Sequence, residues 1–203
     1  MIKQFFFDGG TYGEEEFAQY FKALYRDGVS IDVDGNLEFG VTAGNGQVIL
    51  DEGQAIVKSY MCQNTSAYAL VVDPESTMNR RDRVVIRLDI PNKTIMPVIK
   101  KGTAASSPVP PELQRDTNIW EISLAQLNVS SSGISVIDER PNVTLCGAVR
   151  PKNLTEYNDM TKEYQRQWKS WFDSQQALGW RNVFIQDKSP EGSVAGSIWL
   201  KTY

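Results

Sequence analysis

The groups that could do chemistry are few, and the most informative one is missing. The chain holds 21 Lys and Arg, 25 Asp and Glu, and no histidine. The commonest general base and the commonest metal ligand are absent together. Ser-His-Asp and Cys-His nucleophiles, His-bearing zinc sites and facial-triad iron sites are excluded. Catalysis would have to come from carboxylates, Lys, Tyr or a hydroxyl. The densest carboxylate motif is Asp138-Glu139-Arg140. Sequence neighbours on a strand point to opposite faces, a poor arrangement for flanking one glycosidic bond. A turn closed by an Arg–carboxylate contact is the better reading. Asp32-Val33-Asp34-Gly35-Asn36 looks like part of a calcium loop, but its Gly comes too early for the EF-hand pattern, which leaves a β-turn. Gly44-Asn45-Gly46 has neither the Lys-Ser/Thr nor the helix of a phosphate loop. Cys62 and Cys146 stand alone with no Cys-x-x-Cys, as two small buried hydrophobes or one long-range disulfide. No catalytic, cofactor or metal site is expected, and the protein is not expected to be an enzyme.

Charge is uneven along the chain. Residues 1–75 carry 12 acidic and 4 basic side chains, whereas residues 76–115 carry 8 basic and 3 acidic ones. Such asymmetry marks either a binding patch or basic strands lying beside acidic ones in a sheet. The cluster Arg80-Arg81-Asp82-Arg83 lacks interleaved aromatics and runs into an apolar strand, and the overall balance is acidic, so no nucleic-acid partner is expected. The apolar run of Met1–Asp8 is too short for a signal peptide, and no window is long and apolar enough for a membrane span. Synthesis in the cytosol and no membrane partner are expected. Five Asn-x-Ser/Thr matches, at Asn64, Asn92, Asn128, Asn142 and Asn153, are then chance.

The elements that must position these groups follow from periodicity. Residues 14–28 read as a helix whose Phe17, Tyr20, Phe21, Leu24 and Tyr25 form one stripe to be buried, with Glu14–Glu16 in its first turn and Gly28 as its stop. From Val29 to Val149 short strand patterns alternate with turn signals. The candidates are residues 37–42, 47–50, 54–60, 67–73, 82–90, 94–100, 119–128 and 133–137. The best hairpin joins 82–90 to 94–100, with Val84, Ile86 and Leu88 on one face. Gly102–Leu113 is a Ser/Pro-rich loop, long enough to be either functional or mobile.

Asn153 with Glu156 resembles a capping box opening a helix to Leu178, stopped by Gly179. Its stripe is Tyr157, Met160, Tyr164, Trp168, Trp171, Phe172, Gln175 and Leu178. The mean step of about 3.5 residues is that of a left-handed coiled-coil seam. These eight residues are the expected oligomerisation site, with docking on the chain's own β domain as the alternative, and aromatic layers favour a trimer. The tail adds strands near 181–186 and 197–203, a small β segment. The expected fold is α+β, mainly β. It comprises a β-sandwich-like domain with one packed helix (1–150), a long oligomerising α-helix (151–179) and a short C-terminal β hairpin (180–203).

Several motifs recur in one order: Asp82-Arg83-Val84-Val85-Ile86-Arg87-Leu88-Asp89, Lys100-Lys101-Gly102-Thr103 before Pro110-Pro111-Glu112-Leu113, Trp120-Glu121-Ile122-Ser123-Leu124-Ala125, Asp138-Glu139-Arg140-Pro141-Asn142, Leu145-Cys146-Gly147 and the terminal Gly196-Ser197-Ile198-Trp199-Leu200-Lys201. Together they resemble the N-terminal part of baseplate and tail-fibre structural proteins of long-tailed phages of Gram-positive hosts, the upper-baseplate type above all. The resemblance spans residues 5–175 and is strongest over 68–150. It implies a non-enzymatic virion protein at the tail tip, made in the host cytoplasm. A homotrimer would link a distal tail protein to receptor-binding or other baseplate proteins. Family members often continue into a larger distal domain where this sequence stops, which favours an adaptor over a tip. The alternative is a receptor-binding protein holding a host cell-wall saccharide on Trp180, Trp199 and Tyr203.

Overall fold

The computed structural model describes residues 2–75, 77–152, 155–177, 183–191 and 195–202. The chain divides into two units, Met1–Lys152 and Asn153–Tyr203.

In the first unit, helix α1 (Glu14–Leu24) is followed by twelve strands: β1 (Tyr25–Arg26), β2 (Gly28–Val29), β3 (Val41–Ala43), β4 (Gln47–Leu50), β5 (Gly53–Val57), β6 (Tyr60–Asn64), β7 (Tyr68–Val71), β8 (Arg80–Asp89), β9 (Thr94–Lys100), β10 (Ile119–Ser130), β11 (Gly133–Asp138) and β12 (Arg150–Pro151). The largest sheet is antiparallel in the order β11-β10-β8-β9, and the smaller ones are β2-β5-β6, β3-β4-β7 and β1-β12. Strands β8 and β9 form the expected hairpin, with Asp89 opposite Thr94 and Ile86 opposite Pro97. Pro97 is tolerated because β9 is an edge strand, where a missing N–H costs no ladder bond.

Val84, Ile86 and Leu88 of β8 and Ile122, Leu124, Leu127 and Val129 of β10 line one face of this sheet. They meet Val48, Leu50, Ala55, Val57 and Phe39 in one core. The apolar positions of β10 change from even to odd numbers along the strand. A bulge between Ser123 and Ala125 absorbs the change, so that both sets face the same side.

Gly28 is not the stop of a helix. It lies in β2 at φ +155, with Val29 donating to the Gly147 carbonyl at 3.0 Å. A Cβ on Gly28 would stand 2.5 Å from that carbonyl oxygen. Gly28→Ala is therefore expected to cost about 2 kcal/mol, as overpacking against a fixed backbone does, read as a lower urea midpoint at unchanged slope.

The second unit holds α2 (Thr155–Ala177), β13 (Val183–Gln186) and β14 (Ile198–Lys201). Here the expected class is corrected. The protein is mainly β, several sheets with two short helices, and no long oligomerising helix stands among the described residues. Helix α2 is secured on its own surface: Arg166 forks onto Glu163, Gln167 donates to Glu163, and Lys169 faces Asp173. Such i,i+3 and i,i+4 pairs stabilise a helix without a seam. The expected hairpin is a parallel pair, Val183 opposite Ile198 and Gln186 opposite Lys201. The expected packed N-terminal helix is also corrected, since α1 buries no residue. Its stripe meets the N-terminal segment instead, with the Phe6 ring 5.6 Å from Phe17 and 5.0 Å from Tyr20.

Candidate functional site

Two carboxylates of the large sheet, Glu121 and Glu139, gather cations on the face opposite the core. Glu121 is fully buried there and receives Arg87 Nε at 2.8 Å, Lys100 Nζ at 2.8 Å and the Gln114 N–H at 2.7 Å. Burial, the largest influence, pushes its pKa up, but these three donors outweigh it and hold the carboxyl below its usual range. Glu139 takes both arms of Arg83 at 2.9 and 3.1 Å and the Ser123 hydroxyl at 2.5 Å. Arg83 also donates to the Pro111 carbonyl, and the Gly102 N–H donates to Asp82. The Ser/Pro-rich loop is thus tied down at Gly102 and at Pro111.

Asp138 and Glu139 do not act as a pair. Arg140 clamps Asp138 with Nε and Nη2 at 2.9 and 2.8 Å, while Glu139 belongs to Arg83 and Ser123. Arg80, only 2% exposed, forks onto Asp82 and reaches the Asp73 carbonyl, so Arg80, Asp82 and Arg83 are all turned inward. Asp32 accepts the N–H groups of Asp34 and Asn36 at 2.9 and 2.8 Å, which makes the Asp32–Asn36 segment a turn. Cys62 and Cys146 are free and buried, and burial pushes the Cys146 thiol up to about 12, far from a reactive thiolate.

A second polar constellation escaped sequence reasoning. A cleft of about 350 Å³ is bordered by Arg26, Asp27, Lys58, Arg115, Trp120 and Lys152. Lys58 Nζ lies 3.6 Å from the Trp120 ring centroid, and the Arg115 guanidinium lies 5.7 Å from it. Lys58 sits in the two-residue turn between β5 and β6, within the stretch 54–60 that sequence periodicity reads as one strand. Buried positions shift from odd (Ala55, Val57) to even (Cys62) across it. That phase change was the available signal, and the usual Asn-Gly was not there to mark it.

The stripe expected to hold copies together gives no closed surface. Met160, Tyr164, Trp168, Trp171 and Phe172 are exposed. Trp168 and Trp171 touch each other, their centroids 5.1 Å apart. The side chains of Tyr157 and Gln175, and Leu178 altogether, lie outside the described residues. Of the aromatics offered for a saccharide, Trp180 and Tyr203 also lie outside them. Trp199 is exposed and donates Nε1–H to the Gln186 carbonyl at 3.0 Å. In the first unit Phe6, Phe7, Phe17, Tyr20 and Phe21 are each at least 41% exposed.

No protein family, curated protein or solved structure matches the chain. The function must therefore be argued from its surfaces. Glu121 and Glu139 are held by cations and hydroxyl or backbone donors, whereas the exposed aromatic faces offer area for another protein to cover.

Proposed function

We propose that the protein is a structural component of a phage tail baseplate, a homotrimeric adaptor joining the distal tail to receptor-binding or fibre proteins. The observation that carries this reading is the aromatic patch of Phe6, Phe17, Tyr20 and Phe21, left open on a folded β unit. Apolar surface of that kind is stable in water mainly when a partner removes it from solvent. The ordered motifs from Asp82 to Gly147 support the tail assignment.

The patch faces the distal tail protein, and the trimer presents three copies of it. Light scattering is expected to give three times the mass of one chain, and a monomer at micromolar concentration would reject the trimer. Co-expression with the distal tail protein of the same particle is expected to recover a complex. The double variant Phe17→Ser, Tyr20→Ser should weaken that complex by about 2 kcal/mol or more, as loss of aromatic anchors does, with mass and β-sheet circular dichroism unchanged. Undiminished binding by the double variant would remove the patch from the interface.

A further inference from the structure

The cleft around Lys58 holds an unusual excess of one charge. Lys22, Arg26, Lys58, Arg115 and Lys152 border it, against a single carboxylate, Asp27. Among the described residues none of these five cations forms a salt bridge. Asp27 offsets one of these charges and leaves the lining cationic. It accepts the backbone N–H of Lys58 at 2.9 Å, and burial, its largest influence, pushes its pKa up. Arg115 is fixed, donating to the carbonyls of Glu121, Thr144 and Leu145 at 3.0, 2.8 and 2.9 Å. It contributes a positive field from a fixed position. The Arg26 guanidinium has no hydrogen-bond partner among the described residues, so its fork is open.

A second, independent observation concerns the backbone. Lys58 and Ser59 both occupy the left-handed region, at φ 51 and 77, in a two-residue hairpin turn that Asn-Gly would fill without strain. L-residues there cost roughly 1–2 kcal/mol each. Strain of this sort persists where the surroundings over-determine it, which is common at ligand-binding positions. What it achieves is a placement: the Lys58 ammonium is held over Trp120 at the cleft.

We infer that this cleft binds an organic phosphate, with Arg26 and Lys58 contacting the phosphate oxygens and Arg115 and Lys152 supplying the surrounding field. A planar fork and a point-charge ammonium both suit phosphate oxygens. The volume of about 350 Å³ admits a phosphate together with a small organic group. Val143, exposed at its rim, gives that group an apolar side. The inference stands apart from the adaptor reading, since it concerns a small ligand and needs no partner protein.

Calorimetry on the full chain at low salt tests it, with glucose 6-phosphate and inorganic phosphate as probes and glucose and hexaglutamate as comparisons. Glucose 6-phosphate is expected to bind at one site per chain with a dissociation constant below about 1 mM, and glucose not at all. Arg26→Gln and Lys58→Gln should each weaken it about tenfold, whereas Lys101→Gln, just past the end of β9 opposite the β8–β9 turn, should not. Because Arg26 has no internal partner, its variant separates binding from folding. Lys58→Gly should raise the melting temperature by relaxing the turn while still losing about tenfold in affinity. The inference is overturned by absence of binding at about 10 mM phosphate ester, by uptake of inorganic phosphate but not the ester, by tighter binding of hexaglutamate, or by equal affinity in the Arg26 and Lys58 variants. A Lys58→Gly chain with a lowered melting temperature would overturn the role given to the strained turn.

Discussion

Replacing Phe39 by alanine is expected to destabilise the first unit by about 4 kcal/mol, near the upper range for emptying a buried aromatic site. Phe39 is fully buried in the core, yet its backbone lies in the left-handed region at φ 60. The chain accepts it because the facing residue is Gly53, where a Cβ would meet the Phe39 nitrogen at 2.7 Å and the ring at 3.0 Å. The conformation makes a second, sharper expectation. In ordinary strands or helices Gly is worse than Ala by roughly 0.5–1 kcal/mol. At position 39 the order should vanish or reverse, because Ala keeps the left-handed strain and Gly relieves it. Denaturant melts of Phe39→Ala and Phe39→Gly measure this directly. A Gly variant clearly less stable than the Ala variant would show that the backbone at Phe39 is unstrained.

Replacing Glu121 by alanine should cost about 3 kcal/mol, the lower end for removing one member of a buried charge pair. The lower end applies because Arg87 and Lys100 keep 36% and 21% side-chain exposure and can turn to water once released. The Gln114 N–H loses its acceptor as well, so the Ser/Pro-rich loop should become a protease target. Glu121→Gln keeps shape and one acceptor and should cost roughly half as much. The pH dependence has a definite sign. The folded carboxyl titrates below its ordinary value of 4.5. Its contribution is therefore complete above that value and is lost as pH falls through the folded pKa. The stability gap between the native chain and Glu121→Gln should narrow as the solution is acidified from about pH 5 to about pH 3. A gap constant over that range would mean that Glu121 is not held ionised by its partners.

Much of the β unit was legible because burial leaves a period of two in the sequence. Val84, Ile86 and Leu88 announced the face of β8 that enters the core, and the β8–β9 hairpin followed. The neighbours of Glu121 were not legible. Arg87 and Lys100 lie 34 and 21 residues away, and only the sheet order brings them to one carboxylate. The sequence showed the basic excess of residues 76–115 without saying which acids it would meet. The two helical stripes taught a different lesson. A stripe at 17, 20, 21 and 24 identifies the apolar face of a helix, but not whether anything in the chain will cover it. Phe17, Tyr20 and Phe21 remain 47%, 44% and 41% exposed. The same holds for the stripe through Trp168 and Trp171, whose spacing fits a seam although the helix is secured by its own ion pairs. The cleft was hidden for another reason. Its residues come from α1, β1, the β1–β2 and β5–β6 turns, β10 and the loop before it, the β11–β12 loop and the chain beyond β12, and no linear motif joins them.

Pro97 bears on how copies of such a chain can meet. An edge strand with free N–H and C=O groups is a template for strand addition, the route to domain-swapped ribbons and fibrils. Pro97 breaks the donor row of β9 in mid-strand, at the edge of the largest sheet. Sheet extension through β9 is thereby blunted, and aggregation by strand addition is disfavoured. Association is left to side-chain surfaces, which can be matched to one neighbour and closed at a fixed copy number, as an open row of backbone groups cannot.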